Sequence, residues 1–186
     1  KVYAFWLGAT DEDADDEIIY SITGNDANLF ELKSGSVPNQ DYNKQLVYKV
    51  APDFEDPQDS DADNRYEITI TLTSNDDVVS KNFISEVTNQ NEAPEFELSS
   101  TISINENTTT VLSVTPTDPD GTTSFDYSFE SSEADSQWFN IVQDGSNGVV
   151  TFAAAPDYED PIDLGNNNVY NITVRVGDGN GLTSYK

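Results

Sequence analysis

The stretch from Ala51 to Leu72 reads APDFEDPQDSDADNRYEITITL and decides how the rest of the chain is interpreted. Its first half is crowded with acidic side chains between Asp53 and Asp63. Its second half alternates apolar and polar residues, as a half-buried β-strand does. A second copy, APDYEDPIDLGNNNVYNITV, covers Ala155–Val174 and begins 104 residues downstream. The recurrence indicates that the acidic loop and the strand belong to a repeated unit.

Three further landmarks recur in the same order, at offsets between 104 and 109 residues. They are TDED at Thr10–Asp13 and TDPD at Thr117–Asp120, NLFEL at Asn28–Leu32 and QWFNI at Gln137–Ile141, and NRYEITI at Asn64–Ile70 and NVYNITV at Asn168–Val174. A repeat of about 105 residues has the size of a small domain. The sequence therefore predicts two tandem domains, residues 1–92 and 93–186.

Each unit contains short runs of Ile, Val, Thr, Tyr and Phe separated by clusters of Asp, Asn, Gly and Pro, which predicts an all-β class built from β-sandwiches. The expected strands are Tyr3–Leu7, Ile18–Thr23, Gln45–Val50, Tyr66–Thr73 and Asn82–Thr88 in the first unit, and Thr101–Asn105, Val111–Thr115, Phe125–Phe129, Gly148–Phe152, Val169–Val176 and one from about Leu182 in the second. Alternation predicts that Tyr66, Ile68, Ile70 and Leu72 face a core, as do Tyr170, Ile172, Val174 and Val176.

The composition restricts the chemistry of the chain. It has 186 residues with 35 acidic and 8 basic side chains, and neither His nor Cys. A formal net charge of −27 repels nucleic acid and anionic membrane surfaces and favours cations. Catalytic triads that need His or Cys are excluded, and zinc or copper sites are not expected. The available ligands are carboxylate, amide and carbonyl oxygens, which suit calcium or magnesium.

The acidic residues fall in pairs near the expected strand ends. Alternate residues of an extended chain point to the same side, so Asp-x-Asp and Asp-x-Glu each present two carboxylates together. From sequence order alone we expect three clusters near the domain junction: Asp53 with Glu55, Asn91 with Glu92, and Asp118 with Asp120. Calcium accepts about six to eight oxygens in flexible geometry, whereas magnesium demands a stricter octahedron. The clusters therefore predict calcium.

The motifs APDYEDP, TDPD, ISINEN and NQNEAPEF resemble the bacterial relatives of cadherin repeats, over essentially the whole chain. The resemblance implies two tandem Greek-key sandwiches with calcium ions between successive repeats. It also implies the ligands: Asp53 and Glu55 as the Asp-x-Glu motif, Asn89, Asn91 and Glu92 in the linker motif with Gln90 as an added oxygen, Asp118 and Asp120 as the Asp-x-Asp pair, and Asp178 at the end of the penultimate strand.

The chain also departs from the family pattern. Asn89 stands where the linker normally begins with Asp, which removes one charge, and Ser74 stands where the second unit has Asp178. The resemblance assigns Asp11 and Asp13 to a junction with a preceding repeat, and Glu106, Asp157 and Glu159 to one with a following repeat. The first unit is expected to lack its N-terminal strand, and the second to end within its last one.

A third group of acids, Asp59, Asp61 and Asp63, alternates in a loop that the second unit is expected to lack. The spacing weakly resembles an EF-hand loop, but no Gly follows at the sixth position and no Glu at the twelfth. A solvated acidic loop is therefore the preferred interpretation of this group over a bound ion.

The predicted function is that of a calcium-binding adhesion or structural module of a multi-repeat extracellular or cell-surface protein, not an enzyme. Its expected partners are adjacent repeats of the same chain, and another surface protein or a polysaccharide, with no nucleic acid and no membrane insertion. The alternative is a calcium-dependent polysaccharide-binding module, since Trp6 or Trp138 could stack on sugars. Packing is the preferred interpretation of both tryptophans.

Overall fold

The computed structural model describes residues 4–12, 17–34, 42–75 and 77–186, so Tyr3 of the first expected strand and the candidate ligand Asp13 lie outside it. The chain divides into two compact units, Lys1–Gln90 and Asn91–Lys186. In the described ranges the only helical segments are two 3-10 turns, Ala27–Leu29 and Ala134–Trp138. The all-β prediction is confirmed.

In the part of the first unit that the structure describes, the chain forms a sandwich of two three-stranded antiparallel sheets, ordered β1-β4-β3 and β2-β5-β6. Its strands are β1 (Ala4–Gly8), β2 (Ile19–Thr23), β3 (Phe30–Ser34), β4 (Tyr42–Tyr48), β5 (Arg65–Ser74) and β6 (Asp77–Glu86). The chain crosses between the sheets after β1, β2 and β4, as a Greek-key sandwich requires.

The second unit repeats this topology, with sheets ordered β7-β10-β9 and β12-β11-β8. Its strands are β7 (Thr110–Val114), β8 (Asp126–Phe129), β9 (Phe139–Asp144), β10 (Asn147–Phe152), β11 (Val174–Gly177) and β12 (Thr183–Tyr185). The matching strand order shows that the sequence repeat is a structural repeat.

Aromatic residues dominate both cores. In the first unit Phe30, Tyr48 and Tyr66 pack together, with ring centroids 4.4 Å apart for Phe30 and Tyr48 and 5.2 Å for Tyr48 and Tyr66. Phe139, Phe152 and Tyr170 form the matching cluster in the second unit. Such ring contacts add about 0.5–1.5 kcal/mol each to the stabilisation from buried area.

The alternation in β5 and β11 gives the predicted inward faces. Tyr66 and Ile68 are buried while Glu67 between them is exposed, and Val174 and Val176 are fully buried in the second core. The ladder of β11, however, is shorter than expected. Tyr170 and Ile172 pack against the core although the stretch 169–173 belongs to no strand of the described chain.

Three strand predictions were wrong. The residues of β3 and β9 were not expected to be strands, because each follows a 3-10 turn and mixes charged or amide side chains with its apolar ones. Thr101–Asn105 forms no strand in the described structure, although Ile104 packs against the second core. Side-chain packing without a ladder explains why its apolar pattern looked like that of a strand.

Candidate metal-binding site

The Asp-x-Glu motif adopts the same turn in both units. It follows β4 in the first unit, where the N–H of Glu55 donates to Oδ1 of Asp53 at 3.1 Å. It follows β10 in the second unit, where the N–H of Glu159 donates to Oδ1 of Asp157 at 3.0 Å. All four side chains are exposed, so each motif presents two carboxylates to solvent from a hydrogen-bonded turn.

In the second unit a third carboxylate joins this turn. Oxygen atoms of Glu106, Asp157 and Glu159 lie within 4.8 Å of one another, and Oε2 of Glu106 accepts the N–H of Tyr158 at 3.1 Å. The N–H of Asn107 donates to the carbonyl of Pro156 at 2.9 Å, which fixes Glu106 beside the motif. Three exposed carboxylates this close are suited to share a divalent cation.

A second group of predicted ligands meets at the start of the second unit. The amide Nδ2 of Asn91 donates to Oδ2 of Asp178, and the N–H of Glu92 donates to Oδ2 of Asp120 at 2.9 Å. Two consecutive residues thus connect the loop after β7 to the loop after β11. The backbones of Glu95 and Thr117 also exchange two hydrogen bonds, at 2.7 and 2.8 Å. These bonds hold the segment that follows Glu92 beside the loop that follows β7.

Asp178 is held by its own turn as well as by Asn91. Its Oδ1 accepts the N–H groups of Asn180, Gly181 and Leu182 at 2.7, 2.9 and 3.1 Å. The hydrogen bond from Asn91 lowers the pKa of Asp178, burial opposes this, and the backbone donors add to the lowering. The carboxylate is therefore buried and ionised, with Oδ2 directed to the linker residue.

Asp118 supplies the test of whether this group fits a cation. Its Oδ2 is buried and has no hydrogen-bond partner among the described residues, while Oδ1 accepts only a long bond of 3.4 Å from the N–H of Thr122. A buried carboxylate oxygen without a donor is costly unless a cation neutralises it. The other predicted ligands of this group carry carboxylate and amide oxygens, which is the chemistry that calcium prefers.

The other predicted ligands are less constrained. Asn89 and Gln90 are exposed at the end of the first unit, and no side-chain hydrogen bond to either is found within the described ranges. Asp11 follows β1 and is partly buried. The structure thus gathers most of the second unit's candidate residues into two groups. The role of every candidate as a metal ligand remains a prediction.

The acidic loop of the first unit is not an insertion, and this prediction was wrong. Residues 59–64 and 163–168 occupy the same place after the Asp-x-Glu motif and share one hydrogen-bond pattern. Asp59 accepts the N–H groups of Asp63 and Asn64, and Asp163 accepts those of Gly165, Asn167 and Asn168. The similarity was hidden because Gly and Asn replace the acids in the second copy.

Burial and hydrogen bonding oppose each other at the first acid of this loop. Burial alone raises the pKa of Asp163, but the N–H donors of Asn167, Asn168 and Gly165 outweigh it and hold the pKa below its ordinary value. Asp59 shows the same balance, with burial opposed by the N–H groups of Asp63 and Asn64 and by the Asp61 side chain, and the pKa again lowered. Both residues are anions that the backbone of their own loop holds in place, and the carboxylates of Asp59, Asp61 and Asp63 lie within 4.8 Å of one another.

Sequence reasoning missed a further pair of buried acids, Asp26 and Asp135. Asp26 accepts the N–H groups of Ser60 at 2.8 Å and Glu67 at 2.7 Å. Asp135 likewise accepts those of Leu164 at 2.8 Å and Asn171 at 2.9 Å. Each carboxylate ties the acidic loop to the strand region that follows it. The signal in the sequence is an Asp four residues before Phe30 and before Phe139.

Comparison with known proteins identifies the fold. No family model and no curated protein matches the chain. Among solved structures, human protocadherin-24 EC1-2 is 22% identical with a TM-score of 0.52, and the match covers 98% of this chain and 81% of that one. The human desmocollin-1 ectodomain (19% identical, TM-score 0.47, 94% and 30% covered) and mouse PcdhgC3 EC1-3 (20%, 0.47, 99% and 58%) also match.

The chain therefore has the cadherin fold over nearly its whole length, as the motif resemblance implied. It spans less than a third of the desmocollin ectodomain that it matches. Within the described ranges, no helix is both long and apolar enough to cross a membrane.

Proposed function

We propose that the chain is a calcium-binding adhesion or structural module of an extracellular or cell-surface protein, in which calcium stiffens the junction between consecutive repeats. The observation that carries the proposal is the convergence of Asn91 and Glu92 with Asp120 and Asp178. Asp118, two residues before Asp120, adds a buried carboxylate oxygen for which the described residues provide no hydrogen-bond donor. The residues of the linker themselves belong to this group, so an ion bound there would restrain the linker.

The ligand assignment follows the motifs. The second unit contributes Asn91, Glu92, Asp118, Asp120 and Asp178, and we assign Asp53, Glu55, Asn89 and Gln90 of the first unit to the same junction. Glu106, Asp157 and Glu159 are assigned to a junction with a following repeat, and Asp11 and Asp13 to one with a preceding repeat. Calcium would supply the positive charge that these carboxylates otherwise lack in a chain of net charge −27.

The proposed mechanism is electrostatic. Without a divalent ion, neighbouring carboxylates repel one another and favour conformations that separate them. A bound ion reverses the sign of this interaction, so the conformation that brings the oxygens together becomes the stable one. We infer no catalytic activity. The inferred partners are adjacent repeats and another surface protein or a polysaccharide.

Calorimetry and small-angle X-ray scattering of the whole chain test the proposal. Calcium is expected to bind and to narrow the distribution of molecular lengths, whereas magnesium at equal concentration has a weaker effect. Asp120→Ala and Glu55→Ala should each lower calcium affinity and broaden the length distribution, with exposed Asp160→Ala as the control. Unchanged affinity in both variants would contradict the ligand assignment.

Polysaccharide binding remains a second candidate because of one residue. Trp138 packs against the second core, but Trp6 on β1 is 39% exposed. An exposed indole offers an apolar ring face that can pack against the C–H face of a sugar ring. Glycan-array binding by the whole chain that disappears in Trp6→Ala would support this candidate, and an array without signal would exclude the tested glycans.

A further inference from the structure

A remote side-chain amide holds the middle residue of each Asp-x-Glu motif. Nδ2 of Asn64 donates to the carbonyl of Phe54 at 2.9 Å, and Nδ2 of Asn168 donates to the carbonyl of Tyr158 at 3.0 Å. Phe54 lies between Asp53 and Glu55, and Tyr158 between Asp157 and Glu159. The same contact thus recurs in both units, although the central residue differs.

The amide is itself fixed in place. Asn64 and Asn168 have φ angles of +63° and +62°, the left-handed conformation that Asn tolerates better than most residues. Their N–H groups donate to Oδ1 of Asp59 at 3.2 Å and of Asp163 at 2.9 Å. Both of these acids are buried, so each Asn is attached to an interior, hydrogen-bonded part of the loop.

The peptide group that the amide contacts is the one that orients the carboxylates. The carbonyl of Tyr158 and the N–H of Glu159 belong to one planar peptide. Asn168 binds its carbonyl end, and Oδ1 of Asp157 accepts from its N–H end. The plane therefore has a fixed orientation, and the side chains of Asp157 and Glu159 leave the backbone on either side of it.

We propose that Asn64 and Asn168 are positioning residues for cation binding by the two Asp-x-Glu motifs, an inference that rests on the proposed function. Neither residue contacts the ion. Each preserves the peptide orientation that holds two mutually repelling carboxylates together before the ion arrives. Partners that orient metal ligands in this way typically change affinity by about 10–100-fold when they are removed.

The chain offers a local optical probe for the second motif. Tyr158 lies between two proposed ligands and is exposed, so terbium bound there in place of calcium can be excited through its phenol ring. Phe54 occupies the same place in the first unit, so Tyr158→Phe gives the second motif the sequence of the first. The terbium emission that remains in Tyr158→Phe is the background excited through all other tyrosines and tryptophans. The difference between the two titrations reports the affinity of the second motif.

The test compares Asn168→Asp with Asn166→Asp in the whole chain. Asn166 lies in the same loop, also at positive φ (+48°), is exposed, and makes no side-chain hydrogen bond in the described structure. Both substitutions add the same charge, but only Asn168→Asp removes the donor to Tyr158. We expect terbium affinity at the second motif to fall about tenfold in Asn168→Asp and not to fall in Asn166→Asp.

Asn168→Gly is the second variant, because Gly keeps the left-handed backbone and also removes the donor. Its terbium affinity at the second motif should fall as that of Asn168→Asp does. Thermal unfolding measured with a chelator present shows whether each variant is folded without metal, and so whether the lower affinity has a cause other than unfolding. Wild-type affinity in both folded Asn168 variants would overturn the positioning role while leaving the proposed function intact. A wild-type chain without any Tyr158-dependent terbium signal would overturn both.

Discussion

The ends of β5 and β11 occupy the same place in the two units but have opposite chemistry. Ser74 ends β5 and pairs with Asp77, so the ladder continues to the start of β6. Asp178 instead follows β11 and collects three N–H groups from a turn in which Gly179 and Gly181 have φ angles of +76° and +113°. A carboxylate becomes a fixed anion here only because the following glycines let the backbone turn towards it.

The acidic loops after β4 and β10 show the opposite relation. Their sequences look different, but their buried acids bind the same backbone groups in both units. The exposed positions carry Asp61 and Asp63 in one loop and Gly165 and Asn167 in the other. Charge is therefore variable at the surface of this loop, whereas the internal anions that define its shape are repeated.

The largest expected effect comes from removing one of these internal anions. Asp135→Ala leaves the N–H groups of Leu164 and Asn171 without their carboxylate acceptor and should lower the free energy of unfolding by about 3 kcal/mol, as measured by urea denaturation. Asp160→Ala, at an exposed position, should change it by less than about 0.5 kcal/mol. If the two units are equivalent, Asp26→Ala should lower the free energy of unfolding by the same amount as Asp135→Ala. A much smaller loss in Asp26→Ala would show that the two buried acids are not equivalent.

A smaller effect is expected where the two cores differ. A Cβ on Gly148 would lie 2.5 Å from Cδ1 of Tyr127, whose hydroxyl donates to the carbonyl of Ser146 at 2.6 Å. Gly148→Ala should therefore destabilise the chain by roughly 1–3 kcal/mol through overpacking. The first unit carries Lys44 at this position of the repeat, and Lys44→Ala should be nearly neutral in the same denaturation experiment.

The next effect depends on pH. The pKa of Asp163 is lowered in the folded chain, so its ionised form stabilises the fold above its unfolded-state pKa, and this contribution is lost as the pH falls through the folded-state value. In an Asp163→Asn variant the side-chain amide does not titrate. The difference in melting temperature between wild type and variant should therefore be constant from pH 7 to 5 and shrink below about pH 4. A difference that persists unchanged to pH 2 would contradict this assignment.

The smallest effect concerns the exposed acids. The charge of Asp63 is the main cause of the raised pKa of Asp61. Asp63→Asn gives this loop the side chain that Asn167 provides in the other loop. The hydrogen bond is retained in kind, because Oδ1 of Asn167 accepts the N–H of Val169 as Oδ1 of Asp63 accepts the N–H of Arg65. NMR titration of the Asp61 carboxyl should show a lower pKa in the variant, and an unchanged value would identify another cause.

The sequence was sufficient for the fold class because the alternation in Tyr66–Leu72 and its repeat reflect burial directly. The motif resemblance also grouped Glu106, Asp157 and Glu159, whose carboxylates the structure brings within 4.8 Å of one another, while their role as ligands stays a prediction. It could not identify Asp26, since a buried acid that binds backbone N–H groups has the same letter as a solvated one. It also gave no sign of the Asn168 contact, which depends on a left-handed backbone.

The carboxylates of Asp26, Asp59, Asp135 and Asp163 share a property that matters for a chain with only 8 basic residues. The contacts described for them are with peptide amides, and for Asp59 also with the Asp61 side chain, rather than with Lys or Arg side chains. Dissolved ions largely screen the interaction between exposed charges that lie more than about 10 Å apart at 0.1 M salt, and they screen buried groups much less. The stabilisation that these four carboxylates provide should consequently depend little on salt concentration. The exposed carboxylates, in contrast, remain free to interact with the cations in solution.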